Sequence, residues 1–375
     1  MQHEYVGQGS ISALCDVLGE LASRRVFLVT GSRSFEQSGA SAAIEPILRN
    51  KEVLRFCDFA ANPKLPDIER GVKLLQGFDA DIVLAVGGGS VLDVAKAINI
   101  LAKNKGAAAD YVRGSKKMEC SGVPLVAIPT TSGSGSEATH FAVVYIDGIK
   151  YSLADSRMLP KYAIVDSELT YNLLPEVFAP SGADALCQAI EAHWSIHATE
   201  ESFSFSRDAI VQAWTNLADA VRGQRSARDA MSRAAHLAGK AINIAKTTAS
   251  HAMSYALTTE FGITHGHAVA LTMPRLIVYN SKVTSDDVSD RRGVAHVNHA
   301  LKEIFTALGA RAAEDAAEKF TKQLQEIGLE TRLSKLGLSE RDIESLVSKM
   351  SLERAGNNPR TFGKEAAARI LRGAL

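Results

Sequence analysis

Asp81–Ile98 reads DIVLAVGGGSVLDVAKAI: an apolar run from Ile82 to Val86, then Gly87-Gly88-Gly89-Ser90, then a helical pattern. A short apolar run closed by glycines predicts a buried strand, and the pattern behind it predicts a helix over Val91–Ala102. Three glycines let the backbone take φ > 0 and approach a ligand without a Cβ in the way. The free N–H groups at the start of the following helix, together with its positive dipole end, favour an anion. The segment therefore reads as a phosphate cradle between strand and helix, and it points to a phosphorylated cofactor.

Working outward, the first half of the chain repeats this strand-then-helix rhythm. Arg25–Thr30 (RVFLVT) predicts a strand ending at Gly31-Ser32, Ser41–Asn50 a helix, Val53–Phe59 a strand, Asp67–Gln76 a helix, and Val123–Ile128 a strand ended by Pro129. Such a series predicts an α/β, Rossmann-like domain with a parallel sheet and helices on its faces. Ligands of these sheets bind beyond the carboxyl ends of the strands, where Gly31-Ser32, Gly87–Ser90 and Pro129–Glu137 all fall. After Pro180 alanine-rich segments of period 3.6 take over: Gly182–Ile196, Ser202–Arg222, Ala227–Ala245, Ala300–Gly309 and Ala312–Ile327. The boundary falls near Pro175–Pro180, dividing an α/β domain (1–178) from an all-helical one (179–375).

Composition narrows the class. The 375 residues are 46% hydrophobic and 22% charged, enough for two cores, and the formal net charge is +0. No global field recruits nucleic acid or an anionic membrane. Cys15, Cys57, Cys120 and Cys187 form no CxxC pair, which argues against a thiolate zinc site or a disulfide framework. No apolar leader and no uninterrupted apolar run of about 18 residues appears. A reducing, cytoplasmic setting is the default expectation.

Three constellations carry chemistry. Asp93 and Lys96 lie one turn apart in the helix behind the cradle; Lys96 either reaches a phosphate or carboxamide or lies at the surface in an i,i+3 ion pair. Pro129–Glu137 (PTTSGSGSE) offers hydroxyls at Thr130, Thr131 and Ser136 that suit a ribose, an adenine edge or a phosphate, unless it is a plain linker. Asp184 and Gln188 share a helix face, and His251 and His265 follow much later; a carboxylate and two imidazoles facing one point make a divalent-metal pattern. His193, His197, His236, His296 and His299 read as core or surface residues.

Taken together, GGGSVLDVAK (Gly87–Lys96), PTTSGSGSE (Pro129–Glu137), LPKYAIVDSEL (Leu159–Leu169), GADALCQAIE (Gly182–Glu191) and the span from His251 through Gly266 resemble the iron-containing (group III) alcohol dehydrogenases. The resemblance spans nearly the whole chain, to Asn357-Asn358-Pro359-Arg360. It implies a nucleotide-binding α/β domain, a helical metal- and substrate-binding domain, and an active site between them. It implies reversible hydride transfer between NADPH or NADH and an aldehyde or alcohol, with Fe²⁺ or Zn²⁺ polarising the carbonyl. The implied ligand positions are Asp184, Gln188, His251 and His265. Gln188 departs from the family pattern, which has a histidine there; its carbonyl is a weaker, neutral donor, so the site is complete with Gln188, completed by water, or lost. A further family histidine, four residues after the third ligand, is here Tyr255, and Tyr255 or His267 takes its proton-relay role. The family also implies a homodimer.

Cofactor choice turns on the end of the first strand. An acid there would bind a ribose 2′-OH and repel a 2′-phosphate. Gly31 stands in that place, followed by Ser32 and Arg33, which predicts that NADPH is accepted. The C-terminal half is most similar to the hydroxyethylphosphonate dehydrogenase and phosphonoacetaldehyde reductase branch. A dianionic substrate requires an Arg or Lys, and Lys150, Arg157, Arg275, Arg354 and Arg360 are the candidates. The alternatives are a reductase of neutral aldehydes such as lactaldehyde or butyraldehyde, a dehydroquinate synthase-like lyase, and a non-catalytic nucleotide binder.

Overall fold

The chain divides into two compact units in the computed structural model, which describes residues 2–375; the first ends at Leu173 and the second spans Leu174–Leu375. In chain order the first contains β1 (His3–Val6), α1 (Ala13–Glu20), β2 (Arg25–Thr30), α2 (Ser34–Gln37), α3 (Ala40–Leu48), β3 (Glu52–Phe56), α4 (Leu65–Phe78), β4 (Ile82–Gly87), α5 (Gly89–Leu101), α6 (Ala108–Val112), β5 (Leu125–Pro129), β6 (Phe141–Ile146), β7 (Ile149–Ala154) and β8 (Tyr162–Val165). Six strands form one parallel sheet in the order β1-β8-β5-β4-β2-β3. Strand alternation sends Phe27, Val29, Val83 and Ala85 to one face, against α4 and α5. It sends Val26, Leu28, Ile82 and Leu84 to the other, against α1 and α3. Both faces are covered, which is why these strands are continuously apolar rather than alternating. The strand order reverses at β2, which has β3 on one side and β4 on the other, so the ends of β2 and β4 form the topological switch point.

The parallel α/β reading holds for β2, β3, β4 and β5, with ends shifted by up to three residues. Three features were not anticipated. β1 is four residues long and mostly exposed, β8 is the short YAIV run, and β6–β7 is an antiparallel hairpin. The hairpin's turn is Asp147-Gly148, both at positive φ (51° and 79°), the geometry a two-residue Asp-Gly loop adopts.

The glycine cradle also works differently from expectation. None of Gly87, Gly88 and Gly89 has a positive φ, and Gly88 is extended at φ −74°, ψ −179°. What they provide is closeness. A Cβ on Gly87 would sit 2.5 Å from Val91 Cγ2, and one on Gly89 would sit 2.6 Å from Ser134 Oγ.

Lys96 is neither a surface residue nor a ligand arm. Its side chain is 1% exposed, and Nζ donates to Ser136 O (2.9 Å), Thr139 Oγ1 (3.0 Å) and Phe141 O (2.5 Å), with Asp93 Oδ1 at 3.3 Å. Asp93 in turn accepts from Ser136 Oγ (2.6 Å) and Val143 N (2.8 Å). The pair ties α5 to the loop after β5 and to the hairpin. Burial pulls the Lys96 ammonium below its ordinary value, against the Asp93 charge.

The second unit is helical: α7 (Pro175–Trp194), α8 (Glu200–Val221), α9 (Arg225–Ala245), α10 (Ala249–Phe261), α11 (His265–Asn280), α12 (Val294–Ala307), α13 (Ala313–Glu326), α14 (Ile343–Ser348), α15 (Leu352–Ala355) and α16 (Lys364–Ala374). α7 starts at Pro175 rather than Gly182; Pro175 suits the first turn, where no N–H partner is needed, and the helix continues through Pro180. From Phe178 to Trp194 every residue but Ser181 is buried, so α7 runs through the middle of this unit with no solvent face.

Replacing Lys96 by Met keeps the volume but strands several carbonyls and the Asp93 carboxylate. A loss of roughly 2–4 kcal/mol is expected, read as a lower urea midpoint; an unchanged midpoint would show that the strut is dispensable.

Candidate functional site

In the first unit the three loops expected to meet a nucleotide lie side by side, because β4 is flanked by β2 and β5. Gly31 closes β2, Gly87–Ser90 closes β4, and Thr130–Ser136 follows β5. Thr130 N donates to Gly87 O (3.0 Å), and a Cβ on Gly88 would lie 3.3 Å from Thr131 Cγ2, so the last two loops touch. α5 begins at the half-buried Gly89 with no side-chain cap. Its first N–H groups are thus the natural place for a phosphate. Thr131 and Ser90 line the cradle half-buried, whereas Asp93, Lys96 and Ser136 are committed to one another and to backbone. Those last three support the cradle from behind, contrary to the expectation that they contact the ligand.

At the end of β2 Arg33 and Ser32 are exposed, and among the described residues the Arg33 guanidinium makes no hydrogen bond or ion pair. Sequence reasoning missed a second cation here. Arg55 of β3 reaches across to donate to Thr30 Oγ1 (2.8 Å) and Gly31 O (3.2 Å), with Glu36 as its counter-ion at 3.0 Å. The register that sets Arg55 beside Leu28 brings it there, which the linear sequence does not display.

In the second unit α7 carries Asp184, Gln188 and Glu191 at i, i+4 and i+7, three buried polar side chains on one face. His251 lies in the first turn of α10, and His265 opens α11. Ligand atoms of Asp184, His251 and His265 all fall within 4.8 Å of one another. His251 Nε2 is 3.4 Å from Asp184 Oδ1, and the two imidazoles meet edge-to-face with centroids 5.4 Å apart. Gln188 Nε2 donates to Asp184 Oδ2 (3.0 Å), which leaves Gln188 Oε1 buried with no hydrogen-bond partner.

Glu191, quoted in the motif but given no role, organises this cluster. Its Oε2 accepts from His251 Nδ1, and its Oε1 accepts from Thr248 Oγ1 and Ser250 N, both at 2.8 Å. Trp194 Nε1 then donates to Thr248 Oγ1 (3.0 Å). With Nδ1 held by Glu191, His251 turns Nε2 towards Asp184. Burial opposes a charged His251, but the Glu191 and Asp184 carboxylates outweigh it and hold the imidazole above its ordinary value. Buried oxygen and nitrogen donors around an electronegative point, with Gln188 Oε1 and His251 Nε2 unanswered, fit a divalent cation. The signal that was legible for Glu191 is its place two turns after Asp184 on an otherwise apolar helix.

Gly266 lets this happen. A Cβ there would sit 1.9 Å from Pro180 O and 2.8 Å from Asp184 Cβ, so α11 approaches α7 backbone to backbone. Tyr255 and His267 part ways. Tyr255 lies one turn beyond His251 on the same face of α10, and burial pushes its phenol up against the pull of Arg354. His267 is two residues past His265, hence on another face, and its Nε2 bonds Glu330 O at 2.7 Å. His193 is a satisfied core residue between Ser206 and Glu303, its pKa lowered to about 4 by burial.

Replacing Glu191 by Gln keeps the shape but removes the charge behind His251. Divalent-metal affinity, measured by competition with a chelator, is expected to fall about 10–100-fold. An unchanged affinity would remove Glu191 from the site.

Comparison with known proteins agrees with this arrangement. Residues 2–167 match the family described as iron-containing alcohol dehydrogenase, and residues 178–375 match the C-terminal domain of the Fe-containing alcohol dehydrogenase family. The chain is 36% identical over 325 residues to a phosphonoacetaldehyde reductase of Streptomyces viridochromogenes, covering 82% of this chain and 80% of that protein. It is 29% identical to an NADPH-dependent butanol dehydrogenase of Clostridium saccharobutylicum, covering 98% and 94%. The structure of sulfoacetaldehyde reductase from Bifidobacterium kashiwanohense in complex with NAD⁺ superposes with a TM-score of 0.89 at 28% identity, covering 100% of this chain and 96% of that one. A Rossmann-like sheet whose loops converge at its switch point, and a helical unit built round a buried Asp-Gln-His-His cluster, are thus the two halves of one known architecture: the chain belongs to the iron-containing alcohol dehydrogenase family, whose members are NAD(P)-dependent oxidoreductases using a divalent metal.

Proposed function

We propose that, within its family's NAD(P)H-dependent interconversion of aldehydes and alcohols, this chain reduces a small aldehyde bearing a tetrahedral oxyanion, such as phosphonoacetaldehyde, to the primary alcohol. The observation that carries the reading is the agreement between two similar proteins. The 36%-identical phosphonoacetaldehyde reductase and the closely superposing sulfoacetaldehyde reductase are both named for an aldehyde with an oxyanion headgroup.

Asp184, Gln188, His251 and His265 are the groups that would hold the metal. Gln188 Oε1 would replace an imidazole with a neutral oxygen, and its burial without a hydrogen-bond partner beside Asp184 supports that role. When bound, the cation supplies Lewis-acid polarisation of the carbonyl and the dinucleotide supplies hydride. Glu191 keeps the proton on His251 Nδ1. Tyr255, with its phenol held protonated by burial, is the group suited to pass a proton to the product oxygen. The cradle at Gly87–Ser90, with Thr131, takes the pyrophosphate, and Gly31, Ser32 and Arg33 take the adenosine end.

Phosphonoacetaldehyde-dependent NADPH oxidation should vanish on metal stripping and return with Fe²⁺ or Zn²⁺. Full turnover by verifiably metal-free protein would defeat the metal assignment. NADPH should be the better cofactor, and Arg33→Ala should shift the NADPH/NADH ratio of kcat/KM about tenfold towards NADH. An unchanged ratio would assign the preference elsewhere.

A further inference from the structure

Of the five cations that a dianionic substrate makes relevant, four have other commitments. Arg157 is spent on Asp155 (2.7 Å) and Met118 O (2.6 Å). Arg360 is spent on Asp287 (2.8 Å) and Tyr279 O (2.7 Å). Lys150 lies on the β6–β7 hairpin of the first unit and has interactions of its own. Arg275 lies ten residues into α11 from His265, about 15 Å along the helix axis, packed against Gly373.

Arg354 differs on each count. It is half-buried on α15, and among the described residues no carboxylate lies within ion-pair distance of it. Its Nη1 donates to Thr247 Oγ1 (2.5 Å), and its guanidinium carbon lies 5.9 Å from the centre of the Tyr255 ring. Tyr255 follows His251 by one turn of α10, and Thr247 precedes the N-cap Thr248 of that helix, so Arg354 touches this segment on either side of His251 in the chain. Ser351 N donates to Ala252 O (3.3 Å) and Asn357 Nδ2 to Thr247 O (2.9 Å), which pins the α15 segment to the start of α10 on both sides of Arg354. A guanidinium carries five N–H donors in a planar fork that matches a tetrahedral oxyanion, and the contacts to Thr247 and Tyr255 use only part of that capacity. A partly buried cation without a counter-charge, held against Tyr255 one helical turn from a candidate metal ligand, is a vacant half of an ion pair.

We propose that Arg354 is the specificity-determining residue of this chain: its guanidinium binds the phosphonate or sulfonate headgroup of the substrate, with Tyr255 beside it. The assignment rests on the reading of the substrate given above and adds the residue that reads it. In a two-carbon aldehyde the headgroup sits one carbon from the carbonyl, so a cation beside Tyr255, one helical turn from His251, is placed for it. Thr247 and the Tyr255 ring hold the fork in position.

The test compares kcat/KM for phosphonoacetaldehyde, sulfoacetaldehyde and propionaldehyde in the metal-loaded wild type, Arg354→Gln and Arg354→Lys. Folding is checked by thermal denaturation. The wild type is expected to favour the oxyanion aldehydes over propionaldehyde, and Arg354→Gln to collapse that preference by about 10–100-fold, mainly through KM. Arg354→Lys should recover part of it, because a point charge replaces the fork. The two oxyanion aldehydes are separated by which one loses more. If Arg354→Gln lowers all three substrates by the same factor, Arg354 only supports the fold and the proposal fails while the substrate reading stands. If the wild type has no preference for the oxyanion aldehydes, the substrate reading itself fails, and the assignment of Arg354 falls with it.

Discussion

A helix buried on every side cannot hold several polar side chains unless each is answered. α7 holds Asp184, Gln188 and Glu191 on one face, and the second unit is arranged to answer them. Glu191 draws in the start of α10 through His251, Thr248 and Ser250, and through Thr248 it engages Trp194 on its own helix. Asp184 and Gln188 bond to each other, and Asp184 also lies beside His251 and His265. Gln188 Oε1 and His251 Nε2 are left buried without a hydrogen-bond partner. A cation held there would complete the packing.

The first unit solves a different problem by the same economy of side chains. Three adjacent strand ends must bring three loops within reach of one ligand. Gly87, Gly88 and Gly89 allow this by giving up Cβ atoms that Val91, Thr131 and Ser134 would meet, with ordinary negative φ values throughout. The loop after β5 is rich in small hydroxyl residues and has little apolar material of its own to anchor it. Lys96 and Asp93 anchor it from inside, through bonds to its carbonyls, an amide and a hydroxyl.

Much of this was legible in the sequence. Strands β2 to β5 are apolar runs closed by turn residues, and their order implies a parallel sheet. The residue types at 184, 251 and 265 could be read from the sequence, and the fold brings those three side chains together. What was not legible depended on lateral neighbours. The destination of Lys96 depends on a hairpin packed over α5, so a lysine behind a phosphate loop looked like a ligand arm. The position of Arg55 depends on the β2–β3 register. His267 looked as eligible as Tyr255 until the helical phase of α11 turned it towards Glu330. Edge strand β1, with four mostly exposed residues, carries too little pattern to be seen without its partner β8.

Gly266 ties the stability of the helical unit to its chemistry. The residue after His265 has no side chain because Pro180 O and Asp184 Cβ occupy that space. Any substitution there must push α11 away from α7, and the first atoms displaced are those of His265. A change that loosens the helix pair therefore opens the ligand cluster in the same movement. Selection for robustness and selection for turnover act on one contact here, and neither property can drift at this position without the other.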